Sequence, residues 1–341
     1  MEHLKEVIRH MPKVRKIFKQ REFRTFLFLV LLFVVVGFIN SDYISLQNAD
    51  KSLKSSLLYI VLAVGMTFVL LTGNLDISVG GTLGLSAAVC GTILRDGGNI
   101  FLAVVAAILI GAIIGLINGF GVIKLKISSF IMTLAILSIT RVVQVIYTGG
   151  KWVENIPANF KELSNIDIFG INLLSFIVIV GVILVQVYLS KSRKGRYYMA
   201  IGDNTDGAIS IGIPVNRYIA YSFVISGICS SLAGLIFVSQ IGFVSTNAGA
   251  GIELTVIAAC VLGGVSLIGG IGTVVGAALG AIILTSINSA LVYMKVPAFW
   301  NDTISGSLLI IIVVIDALLT LNANKKAKKL RLNARVLQKE A

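Results

Sequence analysis

Ala200-Ile-Gly-Asp-Asn-Thr-Asp-Gly-Ala-Ile-Ser-Ile-Gly-Ile-Pro214 is a polar, glycine-punctuated interval closed by a proline. Lys191, Arg193, Lys194, Arg196 and Arg217 flank it, and long apolar runs lie on either side. A polar loop between runs of bilayer-crossing length meets a soluble partner rather than lipid. That places the interval at a membrane surface and makes the rest of the chain a question of spans.

Working outward, apolar runs fall near 23–39, 55–71, 78–94, 100–123, 127–147, 171–190, 218–240, 254–268, 271–294 and 303–320. Most match the roughly 20 helical residues needed to cross a hydrocarbon core of about 30 Å. They lack the alternation of a membrane barrel, so helices must satisfy the backbone. Hydrophobic residues make up 56% of the 341, charged residues 13%, and mean hydropathy is +0.94. The expectation is an all-α polytopic protein of about ten transmembrane helices. A basic segment at 1–22 precedes the transmembrane domain at 23–320, which carries the loop 191–217, and a basic tail follows at 321–341.

The net charge of +13 invites a nucleic-acid reading, which fails on distribution. Basic residues cluster before the first span, in the 191–217 loop, at Lys124 and Lys126, and after the last span. Lys and Arg near span ends stay cytoplasmic. Ten crossings put both termini on that side, and this register leaves most of the 29 basic residues inside. Contact with anionic membrane lipid is a secondary expectation. The first run lacks an Ala-x-Ala site and is read as a retained helix.

Cys90, Cys229 and Cys260 are scattered in apolar runs, and His3 and His10 precede the first span. Neither set forms a metal or disulfide pattern. No phosphate-binding loop, nucleophile elbow or zinc pair is present, so the reading is a non-enzymatic chain without a cofactor. ATP, if it supplies the energy, must be bound by another polypeptide. A stand-alone ion-coupled carrier is the alternative class, although such carriers usually place carboxylates or histidines mid-span.

Two spans are interrupted. Leu71-Thr-Gly-Asn-Leu-Asp-Ile-Ser-Val-Gly-Gly81 breaks the pattern before the third, and Phe243-Val-Ser-Thr-Asn-Ala-Gly-Ala-Gly-Ile-Glu253 breaks it before the eighth. Irregular backbone at membrane depth belongs where it is buried in protein or lines a cavity. Ile117-Asn118 and Ile287-Asn288, five spans apart, mark a weak repeat, and an odd offset inverts the halves. Gly111, Gly115 and Gly119, like Gly276 and Gly280, line single helix faces and indicate close packing. Asp76 suits a cap for the helix near Ser78, and Glu253 suits a helix start. Arg141 is equally suited to an ion pair or a pathway, and Asp316 to an interfacial anchor. Asn74, Asp76, Gln240, Asn288 and Trp300 are the translocation-pathway candidates. Thr205 to Ile213 fits a short surface helix with Ile209, Ile211 and Ile213 available for docking.

At this loop the chain resembles the membrane subunits of ATP-binding-cassette importers for ribose-like sugars, of the branched-chain type. Gly202–Ile213, Leu71–Gly80 and Glu253–Gly270 are similar to that family's signatures, and the resemblance runs from about residue 22 to 320. It implies an inverted-repeat, type II importer permease of the bacterial cytoplasmic membrane, with Gly202, Asp203, Asn204, Gly207, Ala208, Gly212 and Ile213 coupling to an ATPase. It also implies partners: two cytoplasmic ATPase subunits, a second permease copy or paralogue, and an extracytoplasmic solute-binding protein. Tyr147–Glu154, Ser239–Phe243 and Val296–Asp302 resemble more closely the autoinducer-2 branch of the family. Rhamnose, ribose and other monosaccharide permeases share much of the pattern. Phe299 departs mildly from that branch, and Asn74 replaces a glycine common in sugar permeases, which weakens ribose.

Overall fold

The computed structural model describes residues 21–297 except 169–170, together with residues 300, 303, 306, 307, 310 and 314. The chain is helical nearly throughout: α1 (Arg21–Ile39), α2 (Leu46–Leu71), α3 (Val79–Arg95), α4 (Ile100–Ile123), α5 (Ser129–Thr148) and the short α6 (Ala158–Glu162). A two-residue antiparallel pair, β1 (Asp167–Ile168) and β2 (Ile171–Asn172), leads into α7 (Leu173–Lys191). Then follow α8 (Arg193–Asp203), α9 (Thr205–Ser210), α10 (Val215–Ile241), α11 (Ile252–Leu262) and α12 (Val274–Tyr293).

Among the described residues, six helices are long and apolar enough to cross a membrane: α2, α4, α5, α7, α10 and α12. Three shorter apolar stretches coincide with α1, α3 and α11. Together these match the first nine expected spans in order. The tenth, 303–320, lies outside the described residues but for isolated positions, as do Asp316, the tail and nearly all of the basic N-terminal segment.

The eighth span needs a correction. Its helix stops at Leu262 rather than running to 268, and its 11 residues rise only about 16 Å, half a bilayer core. Glycines explain the stop: Gly264 has φ +86° and Gly269 has φ +105°, a region where side-chain-bearing residues are disfavoured. The short helices α3 and α11 hold third and eighth place among the described apolar helices.

α2 and α10 form the centre. Within α2, 72% of the apolar window is buried inside the chain, against 17% for the peripheral α7. The glycine faces do what their spacing implies. A Cβ at Gly111 would strike the Ser231 hydroxyl and the Gly227 carbonyl of α10, and one at Gly115 would strike the Phe223 carbonyl. Gly276 and Gly280 bring α12 equally close to the Gly263 and Ala259 carbonyls at the end of α11. Close backbone approach of this kind replaces the hydrophobic drive that lipid removes.

Loop contacts follow the expected two-sided register. Leu71 O accepts from Gly270 N at 3.1 Å, and Leu75 N donates to Ser129 Oγ at 3.1 Å, joining segments expected inside. On the opposite side Gln240 Nε2 donates to Lys54 O at 2.9 Å and Ser164 Oγ to Ser239 O at 3.1 Å. Val153 and Val244 form an antiparallel bridge there, and the Trp152 and Phe243 rings stack at 5.4 Å.

Candidate functional site

The polar interval folds into two short helices with a hinge between them. Ser192 caps α8 by accepting from Gly195 N at 2.8 Å. Asn204, extended at φ −156°, ψ 98°, ends α8, and its side chain then caps α9 by accepting from Gly207 N at 2.9 Å. One residue thus closes one helix and opens the next, a use suited to a short polar side chain. Gly212, at φ +79°, turns the chain out of α9, and Ile213 N reaches back to Ala208 O at 3.0 Å. The expected helix over Thr205–Ile213 therefore ends at Ser210.

This turn divides the three isoleucines. Ile209 is 57% exposed and Ile211 is 76% exposed, whereas Ile213 is buried with Ala208. Ile213 thus fixes α9 to the body instead of presenting itself for docking. Asp203, Asn204 and Gly212 are exposed. Beside them Ile209, Pro214, Asn216 and Arg217 border a groove of about 400 Å³. Beneath α8, Tyr198 packs edge-on against Phe68 of α2 at 5.0 Å and against Tyr218 of α10 at 5.1 Å. Burial holds the Tyr198 phenol well above its ordinary pKa.

At Gly202 the last turn of α8 meets both the end of α2 and the stretch after α11. A Cβ there would run into Leu71 O and come within 3.0 Å of Gly269 Cα. A Cβ on Gly269 would lie 2.9 Å from Gly73 Cα, and one on Gly270 would lie 2.8 Å from Asp203 N. Gly73, Gly202, Gly269 and Gly270 thus form a junction of bare backbones. It links the exposed helix pair to the broken segment before α3 and to the irregular stretch after α11. Contact this close leaves little slack, because packed interiors transmit displacement.

The first broken segment is held by a buried network. Asp76 is 1% exposed. Its Oδ1 accepts from Ser78 N at 3.0 Å and Ser78 Oγ at 2.6 Å, and its Oδ2 from Ser226 Oγ of α10 at 2.7 Å. Asn118 Nδ2 of α4 donates to Ser78 Oγ at 2.8 Å, and Ile77 N donates to Thr133 Oγ1 of α5 at 3.0 Å. Asp76 ties the α3 start to α10 and, through Ser78, to α4.

The second broken segment lies against the glycine face of α3. A Cβ at Gly84 would meet Ala248 O and Gln144 Oε1, and one at Gly80 would meet Glu253 Oε2. Arg141 Nη2 of α5 donates to Glu253 Oε1 at 2.8 Å. Gln144 Nε2 donates to the carbonyls of Ser245 at 3.2 Å and Thr246 at 3.4 Å. The sequence shows Arg141 and Glu253 as separate charges in apolar runs. Their pairing, 112 residues apart, has no local signal.

The remaining candidates do not converge. Asn74 Nδ2 makes a local bond to Thr72 O at 3.2 Å, and Gln240 bonds the α2 backbone on the opposite side. Asn288 is half-buried in α12 and its side chain makes no hydrogen bond among the described residues, while Trp300 is 47% exposed. The Gly73–Gly202–Gly270 junction escaped the residue-by-residue reading, since glycine carries no functional group to flag it.

Comparison with known proteins places this architecture. The Autoinducer 2 import system permease protein LsrC of Escherichia coli (strain SMS-3-5 / SECEC) is 41% identical over 296 residues, covering 87% of this chain and 86% of that protein. The protein of the same name from Salmonella typhi is also 41% identical, covering 87% and 85%. That from Enterobacter sp. (strain 638) is 41% identical over 303 residues, covering 89% and 88%. No solved structure matches the chain. Residues 48–313 match the family described as branched-chain amino acid transport system / permease component, and the chain belongs to that family of multi-pass membrane permeases.

Proposed function

We propose that the chain is the membrane subunit of an ATP-binding-cassette importer for a small sugar-like solute, with autoinducer-2 as the cargo. The observation that carries the energetic half of the reading is the helix pair α8–α9. It projects exposed Ile209 and Ile211 beside a groove and rests on the backbone junction with the first broken segment and the irregular stretch after α11. A separate ATPase docking there would move α9, and through Gly202 and Gly270 the ends of α2 and α11. Gly202, Asp203, Asn204, Gly207 and Gly212 shape that face, and Ala208 and Ile213 anchor it. A second permease copy and an extracytoplasmic binding protein complete the assembly, with both termini and the helix pair in the cytoplasm.

The cargo half is supported by the three relatives' printed names and by a structural convergence. Two of the three stretches that resemble the autoinducer-2 branch come together on the face opposite α9, through the Trp152–Phe243 stack and the Val153–Val244 bridge. Asn74, Gln240, Asn288 and Trp300 stay as pathway candidates, while the network around Asp76 supports a positioning role for that carboxylate. Uptake of autoinducer-2 by cells carrying the full importer, challenged with excess ribose or rhamnose, tests the cargo. Autoinducer-2 uptake should persist under either competitor. Its loss under excess ribose or rhamnose would reassign the cargo to that sugar.

A further inference from the structure

Between α5 and the first turn of α11 lies an ion pair that neither the coupling face nor the glycine packing requires. Arg141 Nη2 donates to Glu253 Oε1 at 2.8 Å, and this uses one of the guanidinium's five N–H donors. The Glu253 side chain is 8% exposed, and its Oε2 has no hydrogen-bond partner among the described residues. The Arg141 side chain is 41% exposed.

Each half of the pair is incomplete in a telling way. A buried carboxylate oxygen without a donor is costly, and structures tolerate one chiefly where a ligand or water completes it. A guanidinium open along an apolar helix is costly against lipid, so the face of α5 that carries Arg141 opens on water or on polar groups. Arg141 is about 10 Å from the Thr148 end of α5, counting 1.5 Å per residue, well inside a core of some 30 Å.

The surroundings hold the pair in place. Glu253 Oε2 packs into the space that the missing side chain of Gly80 leaves on α3, and Gly249, at φ +87°, carries the loop around it. One turn along α5, Gln144 fixes the same loop through the Ser245 and Thr246 carbonyls. Glu253 is locked by packing while Arg141 stays half open, so free donors stand beside an acceptor that movement of α3 from α11 would uncover.

We propose that Arg141 and Glu253 form a solute subsite on the translocation path for a neutral, polyhydroxylated molecule. Uncommitted guanidinium N–H groups donate to one hydroxyl oxygen, and Glu253 Oε2 accepts the O–H of its neighbour. Neutrality follows from the pairing, because the two charges offset each other. An anionic solute would compete with Glu253 for Arg141, and a cationic one would compete with Arg141 for Glu253.

The subsite rests on the importer reading, and one experiment separates the two. The complete importer, with ATPase and binding protein, is reconstituted in proteoliposomes and supplied with autoinducer-2. Glu253→Gln and Arg141→Lys should each lower uptake by about tenfold or more, the loss expected of a charged hydrogen bond, with ATPase co-purification retained. The double swap Arg141→Glu with Glu253→Arg should stay defective, since it rebuilds an ion pair but reverses donor and acceptor positions. Recovery of uptake by the swap, or parallel loss of uptake and ATPase co-purification in the single variants, would show a mere interhelical latch. Single variants with near-normal uptake would equally remove the subsite. Failure of the unmodified importer to take up autoinducer-2 would instead count against the cargo reading.

Discussion

Asp76 illustrates how a charge can sit deep in a membrane protein without touching cargo. Its two oxygens collect three donors, from Ser78 N, Ser78 Oγ and Ser226 Oγ, and the backbone break between α2 and α3 is pinned as a result. Asp76→Ala would orphan those donors, each at about 1–3 kcal/mol when buried. Asp76→Asn keeps the Oδ1 acceptor for Ser78, and the Ser226 hydroxyl can turn to accept from the new amide. Thermal unfolding of the detergent-solubilised protein should therefore show a clear loss for Asp76→Ala and a much smaller one for Asp76→Asn. Equal stability of Asp76→Ala and the parent would remove the positioning role. The sequence suggested Asp76 as a cap for the helix near Ser78; the N-cap is Ser78 itself, and what was legible is the local Asp76–Ser78 bond that the Asp-x-Ser spacing allows. The reach of Asp76 to Ser226, 150 residues away, was not.

At the scale of elements, the helices were legible wherever lipid imposes a length. Six expected spans fall on α2, α4, α5, α7, α10 and α12, which reach the roughly 20 apolar residues a bilayer demands, while those on α1, α3 and α11 are shorter. Hydropathy fails where a glycine run replaces that demand. α11 stops at Leu262, and the stretch through Gly264, Gly269 and Gly270 is irregular although its composition stays apolar. Hydropathy cannot see backbone conformation, and there the irregular chain meets α8. Gly202→Val tests the contact. Its side chain would enter the space of Leu71 O and Gly269 and push α8 from α2. Overpacking of about 1–3 kcal/mol corresponds to a roughly tenfold or greater loss in a coupled equilibrium. Uptake per ATP hydrolysed should fall by that order while ATPase binding to α9 survives. Unchanged coupling in Gly202→Val would show that the four-glycine junction carries no motion.

At the scale of the whole molecule, one face holds exposed α9 and the opposite face holds the Trp152–Phe243 stack, with the Asp76 network and the Arg141–Glu253 pair between them. An importer needs that order: an energy-receiving surface, a movable middle and a cargo-receiving surface. The central claim is that force enters through α9 from a separate ATPase. The most direct measurement is solute uptake into proteoliposomes that hold the chain with its ATPase and binding protein, with ATP inside or absent, and with Ile209→Asp plus Ile211→Asp as the altered chain. Two isoleucines lost from an interface remove about 1.5–3 kcal/mol each, enough to weaken ATPase docking by roughly a hundredfold or more. The account predicts uptake that requires ATP and collapses in the double variant. Gradient-driven uptake by the purified chain alone, without ATP or partners, would contradict it.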